Sequence, residues 1–246
     1  MITQWYLTGD CHGDFTRFHK LNQAVPEGET WGVIILGDAG FNFWLSKSEQ
    51  KMKKHIGHSY PSLVFYCVRG NHEERPENLP NTTNIYDTNI KGVVMIDPAF
   101  PYIRYLNDGF VYHINNQKTL ILGGAYSVDK YYRLERAAAG GYAGWFPDEQ
   151  LTEAEMKYIQ AIRGHEDFDL VLSHTCPFSW MPTDLFLSCI DQTQVDNSME
   201  LWMDSFKDTI TYNKWCFGHF HDDRWVNDKV RMLFTDIVDL ENIMGS

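Results

Sequence analysis

The chain has 246 residues, 43% of them hydrophobic and 15% aromatic, which is enough for a sizeable core; a single α/β domain over residues 1–246 is expected. Its 33 acidic and 21 basic side chains give a formal charge of -12, which argues against a long nucleic acid as standing partner, because phosphate contacts need a basic face. Five cysteines without a CxxC pair read as reduced thiols, and neither a signal-like leader nor an apolar run of ~18 residues is present; a cytoplasmic protein without a membrane partner is expected.

Apolar runs that end in glycine plus a polar residue open the chain: WYLTGD (5–10), WGVIILGD (31–38) and SLVFYCVRGN (62–71). Each predicts a buried strand. Phe15, Phe18 and Leu21 stand at helical spacing between the first two, and a polar run (46–57) separates the second from the third, giving a β-α-β-α-β opening. Four shorter runs follow, at 92–96, 102–106, 110–114 and 119–125, broken by turn residues at 107–109 and 115–116; they predict antiparallel hairpins. Residues 126–145, rich in Gly, Ala, Tyr and charge, show no periodicity and predict a functional loop.

After Pro147, Thr152 and Glu155 form a capping box ahead of Met156, Ile159 and Ile162, so a helix is expected. The strand DLVLSH (169–174), an irregular segment with Pro177 and Pro182, a helix over 199–206, the strand KWCFGHFH (214–221) and closing strands near 223–226 and 230–236 complete the chain. Trp44, Trp145 and Trp180, in loops near these strands, are candidates for a pocket wall or for core.

Five of the apolar runs end in Asp, Asn or His. Asp10 and His12, like His219 and His221, are two apart and share a face of any strand that continues to its end. Asp38, Asn71 with His72, and His174 end three others. In open α/β sheets ligands collect beyond the carboxyl ends of the strands, so these residues are expected to converge. Carboxylate oxygen and imidazole nitrogen suit Mn, Fe or Zn, whereas a structural zinc site would use cysteine pairs. Asp38 can lend its two oxygens to two ions ~3.5 to 4 Å apart. Taken singly, Asp or His at a strand end is more simply a cap or turn residue; five together are not. Cys11 and Phe220 lie between the paired residues and are expected to pack on the opposite face, and the five histidines outside these blocks read as structural or surface residues.

The blocks DxH, GD, GNH with an acidic residue, a lone His and GHxH, in this order over most of the chain, resemble the calcineurin-like metallophosphoesterases. The resemblance implies an α/β sandwich of two mixed β-sheets packed face to face and flanked by helices. It places one metal on Asp10, His12, Asp38 and His221 and a second on Asp38, Asn71, His174 and His219, with Mn first and Fe or Zn as alternatives. It further implies hydrolysis of a phosphomonoester or phosphodiester by in-line attack of a metal-bridging hydroxide. His72 is then the proton donor to, or stabiliser of, the leaving oxygen. Arg69 resembles the phosphate-clamping arginine of the protein Ser/Thr phosphatases. Ala39-Gly40-Phe41-Asn42 departs from the Tyr-Val-Asp-Arg of that branch, so the acidic partner of His72 and a second phosphate-binding arginine are missing there. Segment 123–136 (GGAYSVDKYYRLER) resembles a loop of small bacterial and phage-type members and implies Tyr126, Lys130 or Arg133 at the substrate. Glu73 reads either as a group holding a ligand or as a helix N-terminal acid. The substrate stays open between small molecule, nucleotide and phosphoprotein. The alternative reading is a non-catalytic scaffold of the same fold that binds a protein partner; scaffolds of that kind lose ligands, and this chain keeps all seven.

Overall fold

The computed structural model describes residues 1–186, 188 and 190–245. Three parallel strands, β1 (Gln4–Thr8), β2 (Trp31–Ile35) and β3 (Leu63–Cys67), start the first sheet. It is extended by β4 (Thr83–Asp87), β5 (Gly92–Ile96) and β6 (Ile103–Tyr105), and closed by the two-residue β13 (Val238–Asp239), in the order β13-β1-β2-β3-β6-β5-β4. The second sheet holds β7 (Val111–Ile114), β8 (Gln117–Leu122), β9 (Asp167–Ser173), β10 (Thr211–Phe217), β11 (Arg224–Asn227) and β12 (Val230–Met232), in the order β11-β12-β10-β9-β8-β7.

Both sheets are mixed, and alternation along each central strand explains why the runs are apolar throughout. Ile34, Leu36, Tyr66 and Val68 point inward to meet Ile121, Leu170, Leu172 and Cys216 of the second sheet, so the two sheets share one buried layer. Val33, Ile35, Phe65 and Cys67 point the other way, onto Phe15, Phe18, Ile56 and Tyr60 from the segments around α1 (His19–Ala24) and α2 (Lys47–Ser59). On the far side Leu120, Leu122, Val171, Trp215 and Phe217 meet Met156 and Ile159 of α4 (Glu153–Arg163) and Met199, Met203 and Phe206 of α5 (Ser198–Lys207). A strand buried on both faces has no polar side to alternate with.

The capping box forms as expected: Thr152 accepts from the Glu155 backbone N–H while the Glu155 carboxylate accepts from that of Thr152. Thr152→Ala removes one of these bonds and is expected to lower stability by about 1 kcal/mol, read as a fall in the urea midpoint at unchanged slope.

Three expectations are corrected. β1, β2 and β10 stop at Thr8, Ile35 and Phe217, two or more residues before the metal-type side chains, which therefore sit on loops. Residues 126–145 contain α3 (Lys130–Ala138), a nine-residue helix that buries no residue. β6 pairs antiparallel with β5 and also parallel with β3, so the middle of the chain is more than a row of hairpins. β4, β13 and the C-terminal α6 (Leu240–Gly245) add to the expected elements. Cys11, Cys67, Cys176 and Cys216 are buried free thiols; Cys189 lies outside the described residues. No helix among the described residues is long and apolar enough to cross a membrane.

Candidate metal centre

The loops after β1, β2, β3, β9 and β10 meet at one end of the two sheets. His12, Asp38, His219 and His221 take positive φ values of 46°, 48°, 68° and 57°, in the left-handed region that side chains with a Cβ rarely occupy. Such conformations cluster at functional sites because each costs on the order of 1 to 3 kcal/mol. The pairing of Asp10 with His12, and of His219 with His221, is therefore made by tight turns after the strands end. Close packing enforces the turns. A Cβ at Gly70 would lie 2.0 Å from Asp38 Oδ1, and one at Gly37, itself at φ +94°, would lie 2.1 Å from His174 Nδ1.

Two donor clusters result. In the first, His221 Nε2 stands 3.2 Å from Asp10 Oδ2 and 3.0 Å from His12 Nε2, and His12 Nε2 is 3.7 Å from Asp10 Oδ2. In the second, His174 Nε2 is 2.8 Å from Asn71 Oδ1 and 3.8 Å from Asp38 Oδ2, with the His219 ring centroid 4.9 Å from that of His174. Asp10, Asp38 and His174 also offer three ligand atoms within 4.8 Å of one another, so the clusters adjoin. Atoms bound ~2.1 Å from one ion stand roughly 3.0 to 3.4 Å apart, a spacing the first cluster brackets.

The second contacts of these groups aim them at a cation. His174 Nδ1 donates to the Leu36 carbonyl at 2.7 Å, which leaves Nε2 as a lone pair facing Asn71 and Asp38. Asp10 Oδ1 accepts from the His219 backbone N–H and Asp38 Oδ1 from that of His72, at 2.9 and 2.8 Å. Burial, with the Asp10 charge adding to it, pushes the Asp38 carboxyl well above the ordinary range. Burial raises Asp10 too, yet the His221 hydrogen bond and nearby histidines outweigh it and hold Asp10 below that range. Burial keeps His12, His174 and His219 low, in the neutral form that binds metals. Two buried carboxylates with four imidazoles around them, two of which face solvent, are a donor set that suits divalent cations.

His72 lies beside both clusters, its ring 6.0 Å from that of His12. Asn71 Nδ2 and Arg133 Nη2 approach its Nε2 at 3.3 and 3.4 Å, so the ring proton belongs on Nδ1, which is buried without a partner. Burial, then the Arg133 charge, lowers His72 to about 3. Arg133 is fixed by Asp129, both of whose carboxylate oxygens accept from Nε at 2.8 Å, and by the Gly144 carbonyl at 2.9 Å. Arg133 thus stands beside His72 with its own charge paired to Asp129.

Arg69 is a correction. Its Nε donates to Asp108 at 2.8 Å, Nη1 to the carbonyls of Asp148 and Glu149 at 3.3 and 2.7 Å, and Nη2 to that of Gly123 at 3.1 Å. It is 5% exposed and borders a separate cavity of about 310 Å³, with Asp108 and Glu155, so it ties loops together and does not face the metal-type cluster. Lys130 is a second correction, its Nζ lying 4.6 Å from the Trp145 ring centroid and 5.6 Å from that of Tyr126. Tyr126 does border the cavity above the cluster. None of the three loop tryptophans does: Trp44 leans on Tyr142 at 5.3 Å, Trp145 sits under Lys130, and Trp180 packs on Trp215 at 5.2 Å.

Glu73 holds the Gly70 backbone N–H at 2.6 Å and no helix starts at it, so it acts as a loop support; burial and the Asp38 charge raise it to about 7. Cys11 packs in the layer of Phe15 and Phe41, and Phe220 packs against Phe217. Sequence reasoning missed Ser127 and Glu149, which extend the cluster: Asn71 Nδ2 donates to Ser127 Oγ at 2.8 Å, and Ser127 Oγ to Glu149 at 2.5 Å, orienting the Asn71 amide with its oxygen inward.

The calcineurin-like phosphoesterase family model matches residues 6–223. Among solved structures, the phosphopantetheinyl hydrolase (PptH) of Mycobacterium tuberculosis is similar, with 12% identity, a TM-score of 0.42, and coverage of 94% of this chain and 88% of that one. No curated protein matched the chain. With the matched span running from the first strand through both loop histidines after β10, the chain belongs to the calcineurin-like phosphoesterase family.

Proposed function

We propose that the chain hydrolyses phosphate esters, mono- or diesters, with two divalent ions held by Asp10, His12, Asp38 and His221 on one side and by Asp38, Asn71, His174 and His219 on the other. The observation that supports this reading most is the convergence of these seven side chains from five loops onto two adjoining clusters. Two such ions, Mn first and Fe or Zn as alternatives, supply Lewis-acid charge to the phosphoryl oxygens and activate water for in-line attack.

The chain's own groups set the rest. In the proposed ligand sets Asp38 is the shared carboxylate, beside Asp10 and His174. Asn71 presents its oxygen because Ser127 and Glu149 hold its amide nitrogen. His72 borders the cavity floor, and Arg133 adds a fixed positive charge beside it. With Arg133 next to it, His72 stabilises the leaving oxygen by donating a hydrogen bond from a neutral ring.

With Mn added, the purified protein is expected to hydrolyse p-nitrophenyl phosphate or bis-p-nitrophenyl phosphate. His72→Asn is expected to lower kcat about a hundredfold with bound metal unchanged. Protein carrying two ions yet inert on both esters would overturn the reading and leave the scaffold in its place.

A further inference from the structure

Beside the cluster lies a cavity of about 510 Å³ whose floor includes Asp38, Asn71, His72, His219 and His221. Its walls are mostly apolar, with Met181, Leu185, Phe186, Val195 and Phe220 interrupted by Gln192 and Asn197. Its charged lining outside the histidines is acidic throughout, Asp38, Asp129 and Glu200, and no Lys or Arg borders it among the described residues. Glu200, on the first turn of α5, is 3% exposed; its Oε1 accepts from Thr175 Oγ1 at 2.8 Å and its Oε2 is buried without a partner. A chamber continuous with the reacting centre, apolar on its sides and without a cation, is shaped by what it must admit together with the phosphate.

Resting on the phosphoesterase reading, we infer that the ester's organic group is uncharged and largely apolar, of aromatic or branched hydrocarbon size, and seats in this cavity, its one polar substituent meeting Glu200. A sugar or glycerol group would strip its hydroxyls of water against Met181, Leu185 and Phe186, with Gln192 and Asn197 replacing it only in part. A nucleoside di- or triphosphate, or an ester bearing a carboxylate, would bring further negative charge to a lining in which no Lys or Arg is found among the described residues. An aryl or alkyl group loses only apolar hydration there.

The test has a binding arm and a turnover arm, both on the full chain loaded with Mn. By calorimetry, 1-naphthylmethylphosphonate, which cannot be hydrolysed, is expected to bind at least about tenfold tighter than methylphosphonate, with a negative heat-capacity change. In turnover, 1-naphthyl phosphate is expected to exceed its carboxylate-bearing analogue at least about tenfold in kcat/KM, and hexyl phosphate to exceed glycerol 3-phosphate by the same factor. Leu185→Lys, at a wall position 39% exposed, is expected to raise KM for 1-naphthyl phosphate about tenfold. Equal binding of the two phosphonates, or a preference for glycerol 3-phosphate, overturns the inference while leaving the hydrolase reading intact. No turnover of any ester together with tighter naphthyl binding does the reverse: the hydrolase reading fails and the preference of the cavity stands.

Discussion

Asp38→Asn is expected to reduce Mn-supported ester hydrolysis at least about a thousandfold, to lower the metal bound per chain, and to make the metal-free protein more stable. The three effects have one origin. Asp38 lies 2% exposed next to Asp10, and its Oδ2 is 3.8 Å from His174 Nε2. Without a cation, two neighbouring buried carboxyls repel, which is why burial and Asp10 together push the Asp38 carboxyl up. Asn keeps the acceptor for the His72 backbone N–H, tolerates the left-handed backbone at φ 48°, and removes the repulsion. It also removes the carboxylate proposed to be shared by the two ions. A gain of about 1 kcal/mol or more, a few degrees in melting temperature for a chain of this length, is expected in chelator, and the opposite sign with Mn present. Metal analysis, a melting scan with and without chelator, and an aryl phosphate assay read all three. A variant that is less stable in both conditions would show that Asp38 serves the fold rather than the metals.

Much of this centre was legible in the sequence because its residues come in short blocks at strand ends, and parallel strands carry their ends to one side by topology alone. Asp10, His12, Asp38, Asn71, His174, His219 and His221 needed no knowledge of side-chain direction. Where direction mattered, the sequence was silent. Arg69 stands two residues before Asn71, yet its side chain turns away to Asp108 and three carbonyls, because loops at 107–108, 123 and 148–149 leave buried acceptors that only a guanidinium can fill at once. Arg133 reaches His72 from 61 positions away, on a helix that buries no residue. The i, i+2 pairing within DxH and GHxH was correct in outcome and wrong in cause: left-handed turns do what strand alternation was expected to do. Ser127, Glu149 and Glu200 carry no local motif, and contacts 22 to 56 positions apart fix the first two.

Glu200→Gln is expected to remove a pH dependence of stability worth about 3 kcal/mol. Glu200 is buried under the cavity, its carboxyl accepting from Thr175, and burial raises it to about 7. The unfolded chain holds the same group near its ordinary 4.5. Below pH 4.5 both states are protonated and the folded protein has its full stability from this group. Between 4.5 and 7 the unfolded chain ionises while the folded one does not, so stability falls by about 1.4 kcal/mol per pH unit. Above 7 both are ionised and the loss is complete. Gln cannot ionise, keeps an oxygen for Thr175, and places an amide where Oε2 has no partner, which shifts stability by a constant at every pH. The comparison is therefore the difference between pH values, not the value at one. Urea unfolding of the metal-free wild type and Glu200→Gln at pH 4.5 and 8, in chelator, should give curves that diverge by about 3 kcal/mol as pH rises, the variant gaining on the wild type. Parallel curves would mean that Glu200 is ionised when folded, with its charge met by a cation or water that reaches the cavity floor.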